Sequence, residues 1–415
     1  MYRSPSGSWK LPYVLLVAMA AFALGVFVER EGWLPTSRPR PPAHLGHTFD
    51  PFWEAWGLVE KHYVDREAVD PARMTAGAID GMLGSLGDEG HTTYLTREEA
   101  EEFDNALLGQ LEGIGVRMTE RHRRPTVASV LPGTPAQQAG LRPGDVLLQV
   151  NDRDVLDLSL ERISALVRGP AGTAVRLKVA REGEAKPLDL EVTRAKIDLP
   201  DVTWHMLPGV PVAHVAIEGF DEPAHDQLLK ALREAREKGA KGLILDVRGN
   251  PGGLKDQAVA VTSEFLKDGV VFIEQDADGV RTPVAVQPGG HATDIPVCVL
   301  IDEGTASSAE IFAGALQDHG RGVLVGATTF GTGTVLQPFD LKDGSELLLA
   351  VAQWFTPNGR KIWHQGIEPD VKVALPEGAS ILLPEAAAGL DAEALAKSED
   401  KQLLKALEVL QEKLR

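Results

Sequence analysis

The chain has 415 residues, too many for one ordinary domain and enough for two or three. Its 43% hydrophobic residues can fill sizeable cores, which excludes wholesale disorder. Its 42 basic against 60 acidic residues leave a charge of −18 with no basic, aromatic-interleaved cluster, which disfavours nucleic acid as a partner. The single cysteine, Cys298, excludes an intramolecular disulfide and reads, inside "PVCVLI", as a buried apolar residue.

Residues 11–28, "LPYVLLVAMAAFALGVFV", carry no charge and follow Arg3 and Lys10. At 1.5 Å per residue such a run reaches roughly 27 Å, just enough for a bilayer core. The basic flank predicts a cytoplasmic start, with everything after Glu29 outside the cell membrane, in the periplasm or cell envelope. A cleaved signal peptide competes, because "AFA" offers a small-x-small site, but the apolar run continues past it and favours a single uncleaved anchor over residues 1–30. A buried soluble helix is the third reading. The proline-rich 31–47 stretch, with "PTSRPRPP", reads as an extended spacer.

Residues 48–108 read as short helices: "FWEAWGLVEKHYV" has apolar residues at helical spacing, and Thr96 with Glu99 forms a capping box ahead of "REEAEEFDNALLG". His91, in "DEGHTTYL", reads as a turn residue with no second ligand at metal spacing. From 109 to 196 the texture changes to β-runs divided by Gly and Pro, with "SLERISALVRG" placing Leu160, Ile163, Leu166 and Val167 on one helical face. From 197 to 378 strands and helices alternate. "GLILDV", "PVCVLI" and "GVLVGA" suit a parallel sheet covered on both faces, and Asp343-Gly344 marks a hairpin turn. Residues 379–415 end in a charged amphipathic helix, read as a solvated tail or packing arm.

Two groups of residues carry chemistry. "LEGIGVRM" sets Gly113, Ile114, Gly115 and Val116 before an edge strand, where glycines let consecutive amides face a carboxylate while the strand edge accepts an extended peptide. With the downstream "VLPGTPAQQAGLRPGDVLLQVND", this stretch resembles a bacterial PDZ domain of the protease type, and Leu160 and Ile163 would wall the pocket for a C-terminal side chain. Farther on, "DVRGNPGG" ends a strand in a turn able to expose amides. "DEGTASSAEIFAGALQD" runs strand, turn, helix, with Ser307 near a helix N-terminus that favours developing negative charge. The plain alternative for Ser307 is a helix cap.

Together with the PDZ-like module, these stretches resemble the C-terminal processing peptidases over about residues 48–375. The resemblance implies an α/β multidomain protein: a helical N-terminal part, a PDZ α+β module and an α/β core related to the crotonase and Clp-protease folds. It implies endoproteolysis near protein C-termini by a serine–lysine dyad, without metal or cofactor. The partners it implies are peptide tails, and a homo-oligomer is among the assemblies open to it. The family's nucleophile falls on Ser307, and its oxyanion donors fall on Ser308 and one of Gly252 or Gly253. Asp246, Arg248 and Asn250 fall on positions bracing that turn.

The match breaks at the base. The dyad lysine's place, twenty-five residues after Ser307, holds Thr332, and its orienting glutamine is Leu336, with Gln337 displaced by one. A threonine hydroxyl has no comparable basicity near neutral pH, so the dyad cannot run unchanged. Either another group serves, with Lys255, Lys361, His364 and His319 as candidates, or the chain is a catalytically silent relative that binds peptide tails or regulates a partner.

Overall fold

The computed structural model describes residues 45–415, apart from 89–90, 122–123, 132, 157, 159, 182, 185, 199, 377–378 and 380. The apolar run at 11–28 lies outside the described residues; among them, no helix is long and apolar enough to cross a membrane. The chain divides into two compact units, Met1–Thr75 and Ala76–Arg415. In the first, a helix spans Asp50–His62 and carries a cluster of aromatic rings, Phe52, Trp53 and Trp56.

In the second unit the capping box forms as the Thr-x-x-Glu spacing predicts. Glu99 N–H donates to Thr96 Oγ1 and Thr96 N–H donates to Glu99 Oε2, opening the Arg97–Leu107 helix. Two short strands, Gln110–Gly113 and Ala195–Asp198, then pair antiparallel, so the segment between them enters and leaves at one place. That segment is a sheet in the order Val116–Arg121, Arg124–Val130, Val146–Val150, Ala174–Ala180 and Leu188–Thr193, with the Leu160–Val167 helix packed on it. Its core is its own: Ile114, Leu147, Val150, Ile163, Val175 and Val179 are among the buried side chains.

The core domain is built on a six-stranded sheet ordered Val202–Met206, Val212–Ile217, Gly242–Asp246, Val297–Ile301, Gly322–Gly326 and Val371–Lys372. Its first pair is antiparallel and the rest are parallel. Continuous apolar strands follow from burial on both faces. Leu243, Leu245, Val297 and Val299 face one core, where helices Ala224–Glu237, Lys255–Ser263 and Ser308–Asp318 pack. Ile244, Cys298, Leu300 and Val325 face the other. The second core is closed by Leu395, Leu403, Ala406 and Leu410, so the charged C-terminal helix Lys401–Leu414 is a packing arm. Cys298 is buried and free, and burial pushes its thiol up to about 12.

A second sheet, all antiparallel, runs Thr93–Leu95, Glu346–Phe355, Val270–Asp276 and Arg281–Ala285, with Thr334–Asp340 also paired to Glu346–Phe355. Its hairpin turns at Asp343-Gly344, with Gly344 at φ +85°. The short strand Thr93–Leu95 reaches this sheet across some 250 residues of chain and carries His91 and Thr92 to its edge.

Candidate active site

The strand Val297–Ile301 ends at the turn that starts the Ser308–Asp318 helix, so Ser307 stands where the strands' C-terminal ends meet a helix N-terminus, a usual place for a site in an α/β sheet. Ser307 adopts φ +54° and ψ −122°, a strained conformation for a side-chain-bearing residue, and is partly exposed. It is not entombed among aliphatic groups. Gly252 lies against it, closely enough that a Cβ added there would stand 2.6 Å from Ser307 Cβ, 3.0 Å from its Oγ and 3.1 Å from the Ser308 nitrogen.

The 250–253 bend is held from three sides. Asn250 Oδ1 accepts from the Gly252 amide at 2.8 Å, its Nδ2 donates to the Ile217 carbonyl at 2.7 Å, and its own carbonyl accepts from the Ala306 amide. The Ser308 hydroxyl donates to the Gly253 carbonyl at 2.9 Å. Behind the bend, Arg248 bonds both Asp246 oxygens and both Asp400 oxygens, and His214 meets Asp246 at 2.9 Å. Burial opposes charge on Asp246, but Arg248 and His214 outweigh it and hold the carboxyl below the usual range. The Gly252 amide is therefore committed to Asn250. Those of Gly253 and Ser308 have no acceptor among the described residues, so of the two glycines only Gly253 has an uncommitted amide.

Glu310 ties this turn to the loop bearing Thr332. It is fully buried and accepts four hydrogen bonds: Ser307 N–H at 3.0 Å and Thr332 N–H at 2.8 Å on Oε2, and Gly331 N–H at 2.8 Å and the Thr329 hydroxyl at 2.5 Å on Oε1. Burial pushes its pKa up, against the pull of those donors. Because the Ser307 and Thr332 amides share one oxygen, the threonine's backbone stands beside that of the serine. Thr332 is itself buried. Leu336 is half-buried and Gln337 exposed, with a bulge in the strand pairing between Val335 and Leu336.

None of the four candidate bases is hydrogen-bonded to Ser307 among the described residues. Lys255 pairs with Glu274 at 3.1 Å, and Lys361 lies over the Trp363 ring. His319 bonds the Val270 carbonyl at the opposite end of the Ser308–Asp318 helix. His364 is exposed and stacked on Trp363, with its amide on the Gly331 carbonyl. His91, read as a turn residue, is buried against this same loop: its ring centroid is 5.9 Å from that of Phe330 and its Nδ1 is 3.3 Å from Thr334 Oγ1. Only the long-range pairing of Thr93–Leu95 brings it there, and no local spacing could have shown it.

In the small module, Gly113, Ile114 and Gly115 precede the edge strand Val116–Arg121. Gly115 sits at φ +83°, where a Cβ would fall 2.4 Å from Thr134, so only glycine fits. The amides of Ile114 and Gly115 have no acceptor among the described residues. A cleft of about 600 Å³ runs between that strand and the helix, lined by Val116, Met118, Leu160, Ser164 and Arg168, with Glu102 at its mouth. Ile163 is placed differently from the sequence reading: it is fully buried in the module's core, and Ser164 takes its place along the cleft.

This is the architecture of a serine-type peptidase carrying a PDZ module. A model of peptidase family S41 matches residues 211–373, and one of the PDZ domain matches residues 126–181. The carboxy-terminal processing protease CtpA of Bacillus subtilis is 34% identical over 403 residues, covering 95% of this chain and 84% of its own length. CtpB of the same organism is 34% identical over 333 residues, covering 79% and 68%. A solved structure, a putative S41 protease from Bacteroides fragilis, superposes at a TM-score of 0.56 with 16% identity, covering 86% of this chain and 96% of that one, a likeness of fold alone. The chain belongs to peptidase family S41, among its C-terminal processing proteases.

Proposed function

We propose that this chain cleaves other proteins near their C-termini, with Ser307 as nucleophile and the amides of Ser308 and Gly253 stabilising the tetrahedral oxyanion. The observation that carries this reading is the strained, partly exposed Ser307 set against Gly252 at a helix N-terminus, with those two amides uncommitted. Such donors, fixed before reaction, are worth about 10²–10³ each in rate. The cleft between Val116–Arg121 and Leu160–Val167 receives the substrate tail as an added strand, its terminal carboxylate on the Ile114 and Gly115 amides. The apolar run at 11–28 anchors the chain to the cell membrane with its bulk outside, where the proteins it trims would be found.

One observation favours a silent, tail-binding relative instead: among the described residues no lysine or histidine is hydrogen-bonded to the Ser307 hydroxyl, and the family resemblance puts Thr332 where the dyad lysine is expected. A serine-reactive fluorophosphonate separates the two readings. Labelling of the wild type that Ser307→Ala abolishes supports the peptidase. No labelling, with tail peptides still bound, supports the binding protein.

A further inference from the structure

His91 is a buried titratable group packed on the Thr332 loop that the site so described leaves unused. It is 7% exposed, and its Nε2 is buried without a hydrogen-bond partner. Leaving a buried nitrogen unpaired costs about 1–3 kcal/mol, and His91 Nε2 shares that condition with Nδ1 of the bracing His214, so its place on the loop rather than its lack of a partner sets it apart. The His91 Nδ1 lies 3.3 Å from Thr334 Oγ1, a hydrogen bond, and 3.4 Å from Asp88 Oδ1, an ion-pair distance to an oxygen that has no hydrogen-bond partner of its own. Asp88 is buried too, and its other oxygen accepts from the Thr92 hydroxyl at 2.7 Å and the Thr92 amide at 3.3 Å. The Thr92 hydroxyl also accepts from the Ala350 amide, which locks the segment to the second sheet. A proton on Nδ1, facing the unpartnered Asp88 oxygen, leaves Nε2 with a free lone pair.

The place of that lone pair matters. His91 touches the loop at both ends, Phe330 by its ring and Thr334 by Nδ1, bracketing Thr332. The loop is in turn bonded to the nucleophile turn twice, Phe330 N–H to the Thr305 carbonyl at 2.9 Å and Thr332 N–H through Glu310 to Ser307 N–H. A carboxylate orienting one nitrogen, a free second nitrogen and a strained serine across a short loop are the parts of a serine–histidine–aspartate triad, which is recognised by geometry and roles.

We propose that His91 is the general base for Ser307, oriented by Asp88, in place of the lysine that Thr332 replaces; this rests on the peptidase reading above. Nε2 takes the Ser307 Oγ proton as Oγ bonds to the scissile carbonyl carbon, and the carbonyl π electrons move to its oxygen, held by the Ser308 and Gly253 amides. Collapse breaks the C–N bond, and the proton on Nε2 passes to the leaving amine. Water then gives a proton to Nε2 and its oxygen to the acyl carbon, and Ser307 Oγ departs with that proton. Nε2 makes no hydrogen bond to Ser307 Oγ, and catalytic contacts of this kind often tighten only as the reacting complex forms.

Burial lowers the His91 pKa, Asp88 pulls it back up and His364, from the segment beyond the hairpin, lowers it again. Fluorophosphonate labelling of Ser307 and hydrolysis of fluorescent casein by the full chain should therefore rise with pH along one titration centred below about 6.5. His91→Gln should slow both by about 10³-fold or more and abolish that titration, while circular dichroism and tail-peptide binding stay unchanged. Asp88→Asn, which keeps the base, should slow them at least tenfold and move the midpoint lower, and it carries the test if His91→Gln fails to fold. Ser307-dependent labelling that either folded variant leaves unaltered in rate and pH dependence overturns the role of His91 while sparing the peptidase. A wild type that neither labels at Ser307 nor cuts casein overturns both.

Discussion

Glu310→Gln tests whether one buried carboxylate assembles the site. The wild-type side chain accepts four hydrogen bonds and faces no cation among the described residues, so backbone amides and a hydroxyl alone offset its burial. Glutamine keeps one carbonyl oxygen and puts an NH₂ group where the other stood. Whichever way it turns, two donors then face a donor. Hydrogen bonds to charged groups are worth about 1.5–3 kcal/mol each. Two lost bonds therefore predict a destabilisation of about 3–6 kcal/mol before relaxation, read by urea unfolding. If the NH₂ faces Ser307 and Thr332, the nucleophile turn and the loop part; if it faces Thr329 and Gly331, the loop frays from its other end. In both cases fluorophosphonate labelling of Ser307 should fall by about 10²-fold, and amide exchange over 329–332 should speed up. A variant that unfolds at the wild-type urea concentration and labels at the wild-type rate would refute the idea that this carboxylate holds the site together.

Three further outcomes are expected. Gly252→Ala forces a Cβ to within 2.6 Å of Ser307 Cβ at φ +110°, so labelling should drop at least 10²-fold with a stability loss of about 2 kcal/mol, while tail-peptide affinity in the separately cored PDZ module stays at its wild-type value. Asp400→Ala strips Arg248 of one of its two buried carboxylate partners, and denaturant unfolding should show a loss of about 3–5 kcal/mol, with slower labelling because Arg248 stands behind the 250–253 bend. Asp201 is pushed up to about 8, by burial first and then by Asp221 beside it, so it stays protonated in the folded chain where the unfolded chain has released its proton. Stability from this pair is then fully present below about pH 4 and is lost as pH rises towards 8, at up to about 1.4 kcal/mol per pH unit; Asp201→Asn should flatten that slope in thermal unfolding measured from pH 5 to 9.

Much of the molecule was legible because it is local. The capping box at Thr96 and Glu99 and the Asp343-Gly344 hairpin each lie within a few residues of chain, and each forms as its spacing implies. The strand, tight turn and helix around Ser307 were legible from the order of apolar and small residues, whereas Asn250 was pointed to only by the resemblance to the C-terminal processing peptidases. Two things stayed hidden. The inward turn of Ile163 depends on which edge of the helical stripe meets the sheet, and Leu160, Ile163 and Leu166 alone do not decide that. The burial of His91 depends on three residues, Thr93–Leu95, finding Glu346–Phe355 across the whole PDZ module and most of the core, a pairing that no window of sequence contains.

The threonine at 332 is best understood through what the loop needs to keep its shape. The bond that sets Thr332 beside Ser307 comes from its backbone N–H to Glu310, and the neighbouring bond comes from the Gly331 N–H. Both are made by the main chain, so every residue type except proline could make them. Gly333 is fixed by close approach, since a Cβ there would fall 2.2 Å from the Trp363 nitrogen, and Gly331 by the nearby Gly366 nitrogen at 2.9 Å. Between two obligatory glycines, then, lies a buried position whose backbone bonds do not depend on its side chain. A hydroxyl there leaves the Glu310 acceptor, the 250–253 bend and the strained serine as they stand, and the proposed base, a histidine buried on the same loop with Asp88 beside it, needs no change in backbone to serve.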